Sequence, residues 1–268
     1  MADLPYPVVV SLAVLAGVAA GFINTLAGSG SLLTLPALMA LGLSLPVANG
    51  TNRIGILTAS LVSVVTMARS HAIPRRGAGT LAALLVPASI GAWCGSRVAI
   101  DLPDDVVDRV VGGLMIVLLL TVWIRPERWI VPPHESPKRV AAPLPLLLMT
   151  AIGFYGGFIQ AGVGLFLLFA LVPYLRFGLK EANALKLLVV LVFTVPALIE
   201  FARSGQVDWT LGLVVAAGQA LGALIAARVA TKSPRADAII RAVLIVVLAA
   251  TALDGRGIEG ALLNDFAQ

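Results

Sequence analysis

The sequence predicts an all-α, polytopic membrane protein made of two inverted repeats of about five helical segments each, with short broken or re-entrant helices. Three observations carry that prediction. First, 59% of the 268 residues are hydrophobic and 12% are charged, against about 25% charged in a typical soluble domain. So little charge cannot cover a water-soluble globule of this size, and so much apolar residue excludes a disordered chain. Second, the apolar residues run in long blocks from end to end (8–14, 81–90, 110–123, 144–152 and 187–198), as polytopic helical proteins require. Third, two segments are too short to span, and the motifs that open them recur at one fixed offset.

Charged or Pro/Gly-rich breaks divide the chain into ten segments. The first five cover about 7–27, 31–43, 48–68, 79–99 and 106–124. The second five cover about 143–161, 165–176, 182–202, 208–229 and 236–253. Before the first segment the only charge is Asp3, so this run reads as a transmembrane helix rather than a cleaved leader. A spanning helix needs about 20 residues, and the second and seventh segments fall short. Each follows a glycine break, Gly28-Ser29-Gly30-Ser31 and Gly162-Val163-Gly164. The expected organisation is a first repeat over 1–125, a hydrophilic linker over 126–142, a second repeat over 143–253 and a polar tail over 254–268.

The duplication is read from Gly28 and Gly162, Gly30 and Gly164, Ala48 and Ala182, and Asn49 and Asn183, each pair 134 apart. Gly91 and Gly95 answer Gly218 and Gly222 at an offset of 127. These small-residue faces suit either packing within the chain or a homodimer.

Charge then sets topology. Twelve of the 19 Lys and Arg fall in four regions on one predicted side: Arg69, Arg75 and Arg76; Arg125, Arg128, Lys138 and Arg139; Arg176 and Lys180; and Arg228, Lys232 and Arg235. Only Arg203 and Arg256 fall on the other, which also carries the acidic 101–105 loop. That bias puts the basic loops in the cytoplasm and both termini outside. With an odd number of segments per half, the repeats run in opposite directions, as in many secondary transporters. The net charge of +5 thus marks topology rather than nucleic-acid binding.

In such proteins paired interrupted helices mark the substrate site. A helix N-terminus inside the membrane presents free N–H groups and a positive dipole end, which favour a small anion. Ser29 or Ser31 is expected to cap the first short helix. Cations within apolar segments cost about 2.5–3.5 kcal/mol on insertion scales and mark functional positions or structural pairs with backbone carbonyls. Arg53 follows Asn49 and Asn52, and Lys186 follows Asn183. The candidate anion site is therefore Ser29, Gly30, Ser31, Asn49, Asn52, Arg53, Gly162, Gly164, Asn183 and Lys186, with Asn24, Thr25 and Gln160 on the preceding arms. Glu200 suits either a proton relay or a pair with Arg203 three residues on. Arg97 and Arg109 suit interface anchors or partners of Asp104, Asp105 and Asp108, and the four Trp residues suit interfacial anchors.

Other chemistry is thin. Cys94 is a lone small residue in an apolar run, and His71 and His134 lie apart in hydrophilic loops without metal-ligand spacing. The chain has no Walker A motif and no strand before Gly28-Ser29-Gly30, so neither a self-contained ATP-driven pump nor a dinucleotide site is expected. No cofactor, metal or enzymatic activity is expected.

The stretch 21–38, Gly-Phe-Ile-Asn-Thr-Leu-Ala-Gly-Ser-Gly-Ser-Leu-Leu-Thr-Leu-Pro-Ala-Leu, with Ala48-Asn-Gly-Thr-Asn-Arg53, resembles the TauE/SafE family of sulfite and organosulfonate transporters. Gly156-Gly-Phe-Ile-Gln-Ala-Gly-Val-Gly164 and Ala182-Asn-Ala-Leu-Lys186 are similar to that family's second repeat, although Val163 interrupts its denser glycine run. The resemblance implies a bacterial inner-membrane permease moving sulfite or a related sulfonate by alternating access, with protons as a candidate coupling ion. The rival readings are an anion channel on the same pore and, from another class, a membrane assembly factor or intramembrane enzyme.

Overall fold

The computed structural model describes residues 6–73, 76–103 and 140–232, together with 239, 242 and 243. The fifth segment, most of the linker and of the tenth segment, and the tail lie outside the described residues. So do Arg75, Arg109, Arg241, His134 and the tryptophans at 123 and 129. Among the described residues the chain is all helical, without a strand.

In chain order the helices are α1 (Tyr6–Leu26), α2 (Ser31–Ala40), α3 (Leu45–Arg69), α4 (Ala78–Asp101), α5 (Pro143–Phe158), α6 (Val163–Phe169, continued by a π-helical turn over Ala170–Tyr174), α7 (Leu179–Arg203) and α8 (Trp209–Lys232). Four of them, α3, α4, α7 and α8, are long and apolar enough to cross a membrane; α2, α5 and α6 are apolar but short. The punctuation follows from residue chemistry. Pro46 and Pro143 open α3 and α5, where a missing N–H costs nothing. Gly205, at φ 74°, closes α7, with Gln206 N–H returning to the Phe201 carbonyl.

Packing pairs elements across the sequence halves. α1 lies against α8, and α4 lies against α5. Both contacts run through small residues that bring backbones together. A Cβ on Gly222 would fall 2.0 Å from the Val18 carbonyl oxygen, and one on Gly95 would fall 2.0 Å from that of Phe154. The Gly91/Gly95 and Gly218/Gly222 faces are thus occupied within one chain, which removes them as homodimer surfaces.

The helix ends sort by charge. Arg76 bonds Glu181, joining the α3–α4 connection to the start of α7. That hydrogen bond holds the Arg76 guanidinium above its ordinary pKa, helped by Coulomb attraction and opposed by desolvation. At the opposite end Glu200 accepts from Arg97 at 3.4 Å, from Arg203 at 3.5 Å and from the Trp93 indole at 3.1 Å. The pair with Arg203 is therefore the observed role of Glu200, and its partner Arg97 stacks over Trp93 at 4.2 Å. Trp93 and Trp209 are both exposed near helix ends, as interfacial anchors should be.

Candidate substrate site at the crossing of two broken helices

α1 stops at Leu26 because Gly28 turns left-handed, at φ 82°, and the Ala27 and Gly28 N–H groups both return to the Ile23 carbonyl. α5 stops at Phe158, and Gly162, at φ 67°, sets the second turn. These two left-handed glycines are the pair 134 residues apart in sequence. The breaks then cross in contact. Gly164 N–H donates to the Gly28 carbonyl at 3.0 Å. A Cβ on Gly28 would lie 2.4 Å from the Gly164 Cα, and one on Gly164 would lie 2.3 Å from the Gly28 Cα.

A helix that ends inside apolar surroundings leaves its last carbonyls without partners, at the negative end of the helix dipole. Each such end is met by a cation from the other half of the chain. Arg53, on α3 and fully buried, donates through Nη1 to the Gly156 carbonyl at 3.0 Å and through Nη2 to the Gly157 carbonyl at 2.6 Å. Asn49, one turn earlier, donates through Nδ2 to the next carbonyl, Phe158, at 2.8 Å. Lys186, on α7 and equally buried, donates through Nζ to the carbonyls of Asn24 at 3.0 Å and Thr25 at 3.1 Å, the end of α1.

Side chains fix these caps. Arg53 also reaches Gln160 Oε1 at 3.2 Å and Asn49 Oδ1 at 3.3 Å, and its Cζ lies 4.5 Å from the centroid of the Phe201 ring. Gln160 in turn donates to Thr194 at 2.6 Å. Asn52 Oδ1 accepts from Thr34 at 2.6 Å and from Gln219 at 3.2 Å. Thr25 donates to the Gly21 carbonyl at 2.8 Å and lies 2.9 Å from the Ser63 hydroxyl. Asn24 contributes its carbonyl. Ser29, Gly30 and Ser31 lie buried at the first break, as Gly162 and Gly164 do at the second.

Two expectations need correction. Neither Ser29 nor Ser31 caps α2 through its side chain; Gly30 occupies the cap position. The N–H groups at the breaks are also largely spent: Leu32, Leu33 and Thr34 turn back on the carbonyls of Ser29 and Gly30, and Gly164 bonds Gly28. Glycines that let two breaks touch also let each satisfy the other's backbone. Donors without a protein acceptor remain in the side chains: the Ser29 hydroxyl, Asn52 Nδ2 and Arg53 Nε. Asn183 makes no hydrogen bond to either break.

Four contributors escaped the sequence reading. Phe201, Thr194, Thr34 and Gln219 belong to helices whose cation-bearing faces drew the attention. Gln219 did carry a signal, as an uncharged polar residue inside an otherwise apolar α8. The group is fully buried, it brings the cations of both halves to the paired breaks, and among the described residues no cluster of His, Cys, Asp or Glu could hold a metal.

Paired broken helices, capped by buried cations in a bundle of apolar helices, define a membrane transporter rather than an enzyme. The chain belongs to the TauE/SafE family: the family model described as Sulfite exporter TauE/SafE matches residues 13–254. It is 29% identical over 253 residues to a probable membrane transporter protein, ORF9, of Sinorhizobium sp., covering 94% of each chain. It is also 29% identical over 232 residues to the probable membrane transporter protein YfcA of Escherichia coli K12, covering 86% of this chain and 83% of the relative. A probable membrane transporter protein of Haemophilus influenzae is 27% identical over 213 residues, 79% of this chain and 81% of that one. No solved structure matches the chain.

Proposed function

We propose that this transporter is a secondary-active carrier of a small sulfur-containing anion, sulfite or an organosulfonate, working by alternating access between two inverted repeats. The observation that carries the reading is a charge imbalance. Arg53 and Lys186 each bring one positive charge into the buried centre, and no buried carboxylate accompanies them among the described residues. A helix C-terminus supplies roughly half a negative charge, so about one positive charge stays uncompensated. Buried charge of that kind calls for a counter-ion, and a small anion supplies it. The unpartnered donors of Ser29, Asn52 and Arg53 suit an oxyanion, which accepts hydrogen bonds without donating any when fully ionised. The crossing of Gly28 on Gly164 supplies the moving part: two helix ends pivot where neither carries a side chain.

The family's printed description supports sulfite as the first substrate to try. The chain would lie in the bacterial inner membrane with its basic loops in the cytoplasm and both termini outside, and protons are the candidate coupling ion. The test is sulfite flux in proteoliposomes. Saturable uptake with counterflow supports a carrier. Linear, unsaturable conductance marks a channel on the same pore, and no sulfite-dependent flux against an active organosulfonate or carboxylate control reassigns the substrate.

A further inference from the structure

Asn183 and Asn49 stand 134 residues apart and have opposite fates. Asn49 is fully engaged, donating to the Phe158 carbonyl and accepting from Arg53. Asn183 is 1% exposed, and neither its Nδ2 nor its Oδ1 has a partner. A buried amide left unpaired costs about 1–3 kcal/mol per group, so its surroundings matter. It lines a cavity of about 160 Å³, together with Met67, Ala72, Lys180, Ala230 and Thr231. The cavity lies at the end of the bundle where α3 and α8 finish and α7 begins, the end that carries Arg69, Arg76, Lys180 and Lys232.

The lining sets the ligand's chemistry. Asn183 Nδ2 is a donor for an oxyanion oxygen, and Lys180 adds positive charge. Thr231 spends its proton on the Ala227 carbonyl at 2.9 Å and keeps only acceptor capacity. Asn183 Oδ1 is a second acceptor, suited to a ligand hydroxyl or a bound water. The volume equals about five waters at roughly 30 Å³ each, enough for a compact oxyanion with part of its hydration shell and too little for a large aromatic sulfonate. Position sets the role. Asn183 and Lys186 are three residues apart on α7 and share a face, so a ligand held at Asn183 lies about one helical turn from the buried ammonium.

We propose that this cavity is a second, peripheral binding site for a small oxyanion, in which Asn183 is a direct ligand and from which the anion passes one turn along α7 to Lys186. The proposal rests on the reading of the transporter as an anion carrier. The test is equilibrium binding of sulfite to the full-length chain in nanodiscs, comparing wild type with Asn183→Leu, Asn183→Asp and Arg53→Ala. Asn183→Asp keeps the shape of the side chain and replaces the donor with a negative charge, so it remains informative where the leucine variant misfolds. The expected result is two binding events in wild type. Both Asn183 variants weaken one of them roughly tenfold or more, as loss of a hydrogen bond to a charged ligand does, and Arg53→Ala removes the other. Asn183 isotherms that superimpose on wild type overturn the peripheral site and leave the central reading standing. Asn183 and Arg53 variants that remove the same single event overturn it as well, by making Asn183 part of the central site. Loss in the Asn183 variants alone supports the peripheral site and counts against the central one, and absence of sulfite binding in wild type overturns both.

Discussion

The two halves of the molecule meet the same problem with different cations. In one, a planar guanidinium on α3 forks across the carbonyls of Gly156 and Gly157, is held by Gln160 and Asn49, and rests on Phe201. In the other, a single ammonium on α7 bridges the carbonyls of Asn24 and Thr25. The arginine has the geometry for a rigid, multiply bonded cap, whereas the lysine is a flexible point charge with three donors. The difference teaches that equivalence here lies in the carbonyls being capped. Arg53 and Lys186 are 133 residues apart, one short of the repeat, and long side chains absorb that step around the helix. It also suggests a division of labour, with the Arg53 half as the fixed frame and the Lys186 half, beside the cavity at Asn183, as the half that exchanges its contacts.

The sharpest way to break this comparison is to remove one cap at a time. Arg53→Ala leaves two buried carbonyls and two side-chain acceptors unpaired, so we expect loss of flux together with roughly 3 kcal/mol or more of destabilisation, read as a lowered thermal midpoint in detergent. Lys186→Ala should also abolish flux with a smaller loss of stability. Equal midpoints for the two variants would remove the proposed asymmetry, and wild-type flux in both would remove them from the transport site. Arg53→Lys should fall between, since the charge remains and the fork is lost, whereas Lys186→Arg should keep more of its activity.

Glycine variants sharpen the comparison next. Gly164→Ala puts a Cβ 2.3 Å from the Gly28 Cα, so the breaks cannot cross as they do and flux should be lost. Gly162→Ala meets only the left-handed backbone at φ 67°, a cost of about 1–2 kcal/mol, and should yield a slower but functional carrier. A Gly162 variant as damaging as the Gly164 one would mean that the turn, rather than the contact, is critical. The smallest effect belongs to Glu181→Gln. It removes the partner of Arg76, a pair that is partly exposed at 34% and 22%, and should change stability by less than about 1 kcal/mol, an effect that high salt erases.

Much of this was legible in the sequence, for physical reasons. A span must be long and apolar, so the helices could be read from block length; a break needs glycine, so Gly28 and Gly162 stood out; and a buried cation in an apolar run draws notice by its cost, so Arg53 and Lys186 did too. What could not be read was direction. Spacing alone does not say whether a buried cation faces a ligand or a carbonyl, and it does not reveal that α5 would end beside α3 and α1 beside α7. The free N–H groups expected at the short helices were likewise invisible as spent, because their partners lie across the crossing, 136 residues away in the case of Gly28 and Gly164. Asn49 and Asn183 look identical in sequence and differ only in which neighbours reach them.

The central claim is that two capped helix ends leave positive charge for a small anion. Its most direct test is thermal unfolding of the purified full-length chain against sulfite, sulfate, thiosulfate, sulfonates and carboxylates, with a divalent cation as control. A bound ligand at 100 times its Kd stabilises by about 2.7 kcal/mol. We therefore expect a saturable upward shift with one or more of the sulfur oxyanions, absent in Arg53→Lys. Stabilisation by the divalent cation alone would contradict the account.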